Sequence, residues 1–197
     1  MLGETSLEIP TPAGQVALAA LAMAVFVGLV AFCLWWLRRP SATFGDPGAL
    51  LARGVATGAV GGLVMIPIGL FLTVIGYPVG LYSERVAVWL LGFTTPSVVF
   101  IEHMAISSSL AVVLVLASAA AIRRWSSGQA LAWGAGYGAV IWLVVNSLVL
   151  PVVFGEATPW ELGFAAVWPS LLVHVIFGAV VEALARADTV RKAAPRR

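Results

Sequence analysis

Charge is scarce in this chain: Asp, Glu, Lys and Arg make up 10% of its 197 residues, where soluble domains carry about 25%. Cysteine is scarcer still. The single Cys33 stands inside an apolar run, which excludes a disulfide framework and leaves a thiolate metal site without companions; we read it as a small apolar residue. The first residues, MLGETSLEIPTPAG, hold no Lys or Arg, whereas a cleavable signal peptide needs a positive start, so we expect mature sequence here. A nucleotide-binding loop, a nucleophile elbow and an HExxH pair are also missing, and with them the commonest signatures of catalysis.

What the chain has instead is apolar surface: 61% of its residues are hydrophobic and the mean hydropathy is +1.01. That is the composition of an all-α integral membrane protein in contact with the lipid bilayer. The formal net charge of +2 does not imply nucleic acid, because the cations fall at the ends of apolar runs. Five such runs are expected to cross as helices: Ala13 to Leu37, Ala52 to Tyr77, Pro96 to Ile122, Leu131 to Val153, and a last one from Leu162 or Pro169 to Ala185. Each can span a hydrocarbon core of about 30 Å at 1.5 Å per residue. The chain divides accordingly into an extracytoplasmic terminus (1–12), an additional first helix (13–37), a cytoplasmic loop (38–51), a four-helix membrane domain (52–188) and a basic tail (189–197).

Orientation follows from the cations, which short loops retain on the cytoplasmic side. With the N-terminus outside and the C-terminus inside, ten of the eleven Lys and Arg lie inside and only Arg85 lies outside. The tail RKAAPRR is then a positive flank, with anionic-lipid binding as its alternative. The outer segment LYSERVAVWLLGF is too short to cross, and its apolar character fits an interfacial helix with Trp89 at headgroup level.

The second and fourth spans align without gaps as GVATGAVGGLVM from Gly54 and GAGYGAVIWLVV from Gly134. The third and fifth echo each other as PSVVFIEH and PSLLVH. We read these four spans as a tandem duplication of a two-helix unit about an axis along the membrane normal, with the first helix added. If Thr95 caps a helix opened by Pro96, and Pro169 opens the last one, His103 lies about 10 Å and His174 about 8 Å along their helices, at one depth. If the last helix begins near Leu162, that match is lost.

Polar residues inside the spans are costly in lipid and are expected to satisfy one another in the bundle interior. Ser170, His174, Gly178 and Glu182 recur every four residues and so share a helix face. Glu102, His103 and Ser107 on the third span and Asn146 on the fourth complete a polar seam. Glu182 can pair with Arg186 one turn on. Gly54, Gly58, Gly62, Gly134, Gly138 and Gly178 permit close helix packing within the bundle, or homodimerisation or a membrane complex through the same faces. Pro67 and Pro151 each free a backbone carbonyl and mark kinks.

From Arg53 to about Asp188, the chain resembles the YagU-like family of bacterial inner-membrane proteins of unknown function. The resemblance is carried by WLLGFTTP, by His103 in the third span, by GQALAWGAGYGAV, by LVLPVVFG and by LLVHVIFGAVVEALARAD. It implies a polytopic protein of the cytoplasmic (inner) membrane with no established catalysis and a link to acid resistance. The added first span and a shorter outer loop depart from the family's pattern. The reading that results is a helical bundle without evident catalytic activity, in envelope or acid stress.

Two alternatives stay open. One is proton or ion conduction along Glu102, His103, His174 and Glu182. The other is a redox module in which His103 and His174 ligate haem b axially; zinc is less suited, since only Glu102 adds to the two imidazoles. The orientation is directly testable in a Cys33→Ser background. A cysteine at Thr158 is expected to react with a membrane-impermeant maleimide in intact cells and one at Ser127 only after lysis, and the reverse pattern would invert the topology.

Overall fold

The computed structural model describes residues 47–77, 79 and 82–193. Within them the chain forms helices and no strand: α1 (Pro47–Val74), α2 (Ser83–Leu91), α3 (Pro96–Ser118), α4 (Ser127–Ile141), a π-helical stretch (Trp142–Val149), α5 (Leu150–Phe154), α6 (Pro159–Leu162) and α7 (Phe164–Ala193). Four stretches are long and apolar enough to cross a membrane: Pro47–Val74, Pro96–Ser118, Ser127–Phe154 and Phe164–Thr189. They answer to the second to fifth spans read from the sequence. The first, Ala13 to Leu37, lies outside the described residues, as does Cys33.

Local chemistry sets the ends. Thr95, in extended conformation, accepts the Val98 N–H at 3.2 Å, with Pro96 at the first helical position, where a missing donor costs nothing. Ser126 and Gln129 form a reciprocal capping box that opens α4. Gly92 and Gly155 close α2 and α5 in the left-handed region, at φ 77° and 64°, which a side chain would resist. Thr158 donates from its N–H and its hydroxyl to Glu161, each at 2.7 Å, and these bonds hold the Glu161 carboxyl below its ordinary pKa.

Two features matter for the site: one decides between the starts left open for the last helix, the other departs from the sequence reading. The last helix begins at Phe164, after Gly163 at φ 81°. Pro169 therefore lies inside the helix and opens nothing, so the argument that placed the two imidazoles at one depth loses its premise. The fourth span also widens into π turns just before Pro151. Pro151 has no N–H to give the carbonyl one turn back, the N–H of Leu150 reaches Val145, and the Ser147 hydroxyl turns inward to the Trp142 carbonyl at 3.1 Å. Pro151 thus marks a π bulge.

α1 packs on α3 and α7, α7 packs on α1 and α4, and α3 touches α7 more slightly. Glycine makes these contacts close. A Cβ on Gly54 would stand 2.6 Å from Val112 Cα, and one on Gly58 2.6 Å from Ser108 Cα. On Gly134 it would strike the Gly178 carbonyl, on Gly138 the His174 carbonyl, and on Gly178 the Gly134 carbonyl. Gly62 admits Met104 and Ser107, and Gly61 admits Val181 and Phe177. Every glycine face proposed for packing is therefore covered within the chain. An apolar core of Leu50, Ala111, Leu114, Val115, Ile122, Phe177, Val181 and Ala185 fills the half of the bundle nearest the α3–α4 turn.

At the other end, Tyr77 meets Trp168 edge-on at 5.1 Å and Tyr82 stacks on Phe154 at 6.1 Å, while Arg85 of α2 pairs with Glu156. LYSERVAVWLLGF forms the short helix α2 at this end of the bundle. Alanine substitutions separate glycine's two roles. Gly134→Ala forces α4 and α7 apart and is expected to lower stability by about 1–3 kcal/mol. Gly136→Ala, on the open face of α4, is expected to be neutral or to stabilise by up to about 1 kcal/mol. Unfolding in detergent measures both.

Candidate functional site

The residues of the expected polar seam fall into three bonded groups and one isolated carboxyl. The first group lies between the π turns and α7. Asn146 Nδ2 reaches His174 Nε2 at 3.2 Å and Ser170 Oγ at 3.4 Å, and His174 Nδ1 reaches the Ser170 carbonyl at 2.7 Å. A carbonyl only accepts, so Nδ1 carries the imidazole proton, and the bare Nε2 then accepts from the Asn146 amide. The widened π turns carry Asn146 beside this site, and the close approach at Gly138 brings the His174 backbone to it.

The second group joins α3 to α1: His103 Nε2 donates to the Gly62 carbonyl at 3.0 Å. The same reasoning puts the proton on Nε2 here, so the two histidines hold opposite tautomers. Ser107 is buried one turn further on, and its Oγ occupies the space a Gly62 Cβ would need. The third group joins α7 to α3. Glu182 is fully buried and meets the Ser118 hydroxyl at 3.2 Å, while that hydroxyl also lies 3.3 Å from the Val115 carbonyl. The ion pair expected between Glu182 and Arg186 does not form, because the Arg186 guanidinium donates to the Trp125 carbonyl at 2.9 Å. The other Glu182 oxygen has no hydrogen-bond partner among the described residues.

Glu102 departs from the expectation altogether. Nine residues are two and a half helical turns, so it stands on the side of α3 opposite fully buried Ala111, and its neighbour Ile101 is 65% exposed. Both carboxyl oxygens are shielded yet unpartnered among the described residues, and Arg85 is engaged by Glu156. Hydropathy alone could place Glu102 in the span but not on a face.

Three further polar ties were not singled out from the sequence. Arg53 donates to Asp188 at 3.0 Å and to Thr189 at 2.8 Å, fastening the start of α1 to the end of α7. The Tyr137 hydroxyl donates to the Leu110 carbonyl at 2.8 Å, linking α4 to α3. Ser118 is the partner of Glu182. A signal for Ser118 was available, since it follows Ser107 by eleven residues, about three turns, and so shares its face.

This arrangement does not suit axial haem ligation. Both Nε2 atoms are spent on packing bonds, and a planar macrocycle would have to enter where Met104 and Ser107 already press on Gly62. Among the described residues, no three His, Cys, Asp or Glu side chains come together as a metal site. Comparison with protein-family models, curated proteins and solved structures gave no match to this chain.

A double-mutant cycle tests the first group. Asn146→Ala and His174→Phe should be coupled by roughly 0.6–1.7 kcal/mol, the range of hydrogen bonds between membrane helices, whereas Asn146→Ala and His103→Phe should add. Equal coupling in both cycles would contradict the separation into groups.

Proposed function

We propose that the chain is a non-catalytic multi-pass protein of a prokaryotic cytoplasmic membrane, YagU-like in kind, which acts in envelope or acid stress as an assembled helical bundle. The observation that carries this reading is where the polar atoms go. His103 binds Gly62, His174 binds Asn146, Glu182 binds Ser118 and Tyr137 binds Leu110, each across two helices. Groups committed to holding helices together are poorly placed to attack, protonate or ligate a substrate.

The orientation with the N-terminus outside is supported by the cations of the described chain. Arg53, Arg123, Arg124 and Arg186 lie toward one end of the bundle, and Arg85, at the other, is neutralised by Glu156. A duplicated origin for the two helix pairs has support in their packing. Gly58 of α1 abuts the Ser107 carbonyl and Ser108 Cα, as Gly138 of α4 abuts the His174 carbonyl and Val175 Cα. In that register Ser107, not His103, corresponds to His174, so the histidines are one turn out of step. A proton path has less support: its four groups turn to separate neighbours, and Glu102 stands away from the other three.

The test is complementation of a deletion strain under acid stress. Deletion is expected to lower survival, and His103→Ala and His174→Ala are expected to restore it in proportion to the amount of folded protein in the membrane. A variant present at full abundance that fails to restore survival would mean that the imidazole does chemistry, and would overturn the reading.

A further inference from the structure

α3 and α4 follow each other in the chain but lean on different partners, α1 and α7 respectively. Among the described residues, the outward side of α4 is thereby left uncovered over two turns. An apolar groove of about 390 Å³ lies there, lined by Ala132, Trp133, Gly136, Tyr137 and Val140. Its floor is low because Gly136 has nothing within 4 Å of where a Cβ would stand. One wall is fixed because the Tyr137 hydroxyl is held by the Leu110 carbonyl.

The groove has a charged end. Trp133 lies against Trp125 at 5.5 Å between ring centres, and Trp125 follows Arg123 and Arg124 directly. Both arginines are exposed. Arg53, Arg85 and Arg186 are all engaged, by Asp188, Glu156 and the Trp125 carbonyl, whereas Arg123 and Arg124 have no partner among the described residues. A tryptophan pair at the end of a span belongs at headgroup depth. The surface therefore presents, in order from the membrane face inward, two guanidinium groups unpaired among the described residues, an indole pair and a largely apolar furrow.

We propose that this is a binding site for an anionic phospholipid, with its phosphate on Arg123 and Arg124 and an acyl chain along Ala132, Gly136 and Val140. The argument is one of charge complementarity. Any lipid tail could lie in the furrow, but guanidinium groups at its mouth select a headgroup with net negative charge, and Arg suits phosphate through paired N–H donors. Each cation near an anionic surface contributes about fivefold in binding. The site rests on the bundle lying in a bilayer, and not on which leaflet holds Arg123.

The experiment uses the full chain in phosphatidylcholine nanodiscs containing a minor fraction of dibrominated lipid, whose bromines quench nearby indoles. The Trp133 contribution is taken as the difference from Trp133→Phe. Brominated phosphatidylglycerol is expected to quench it at a several-fold lower mole fraction than brominated phosphatidylcholine. Replacing both arginines, in Arg123→Gln/Arg124→Gln, should abolish that preference, so that the two lipids quench at about the same mole fraction. Gly136→Leu should weaken quenching by both lipids, and Gly136 sits in open space, so this variant is expected to fold.

Equal quenching by the two lipids in the wild type would overturn the proposal. So would absence of quenching by either, the result expected if residues 16–37 of the same chain or a second copy occupy the groove. Failure to incorporate into nanodiscs at all would count against the membrane reading itself, a distinct outcome.

Discussion

The contact between α4 and α7 governs the rest of the structure. At Gly134, Gly138 and Gly178 the two backbones touch with no side chain between them. Lipid tails are as apolar as the helices, so hydrophobic burial gives membrane helices little reason to associate, and van der Waals contact over a close approach has to supply it. Glycine costs helix propensity in water, by roughly 1 kcal/mol against alanine. Here that cost is offset by the packing it allows. The same device at Gly54, Gly58 and Gly62 sets α1 on α3, and Gly61 lets Phe177 and Val181 of α7 settle on α1.

The polar bonds follow from this approach and do not cause it. His174 meets Asn146 because Gly138 has already brought α7 against the fourth span, and because π turns ahead of Pro151 carry the amide beside the ring. His103 reaches the Gly62 carbonyl across a gap that Gly62 itself narrows. Hydrogen bonds of this kind average about 0.6 kcal/mol in membrane bundles, so their value lies in fixing register: each is satisfied in one alignment of its helix pair. Arg53 with Asp188 and Arg85 with Glu156 fasten the two ends of the bundle in the same manner.

Much of this was legible in the sequence. Thr95–Pro96 is a helix-opening signal whose effect is local, and it behaves as read; the capping box of Ser126 and Gln129 is a signal of the same kind that went unused. The glycine spacing announced close packing, although not against which helix. Reading failed where the outcome depended on what lay across the interface. Leu162 and Pro169 were both open as starts of the last helix, and the apolar residues 164–168 decide it near the former, at Phe164. Glu182 looked like a partner for Arg186 along one helix, yet Ser118 on another helix and the Trp125 carbonyl separate them. Glu102 scores as an intramembrane acid wherever it points, and only the position of Ala111 on the folded helix shows that it stands outside the seam. The π turns at Trp142–Val149 arise from a proline several residues later, a connection that periodicity does not carry.

If the glycine contacts hold the helix pairs in one register, the chain's two histidines are locked in opposite tautomers by carbonyls on different helices. Nitrogen-15 NMR of histidine-labelled protein in lipid bilayers reads this directly. The account predicts two resolved imidazole signals, one protonated at Nε2 and lost in His103→Phe, the other protonated at Nδ1 with a bare Nε2 and lost in His174→Phe. A single shared tautomer, or signals averaged by exchange at both sites, would contradict it.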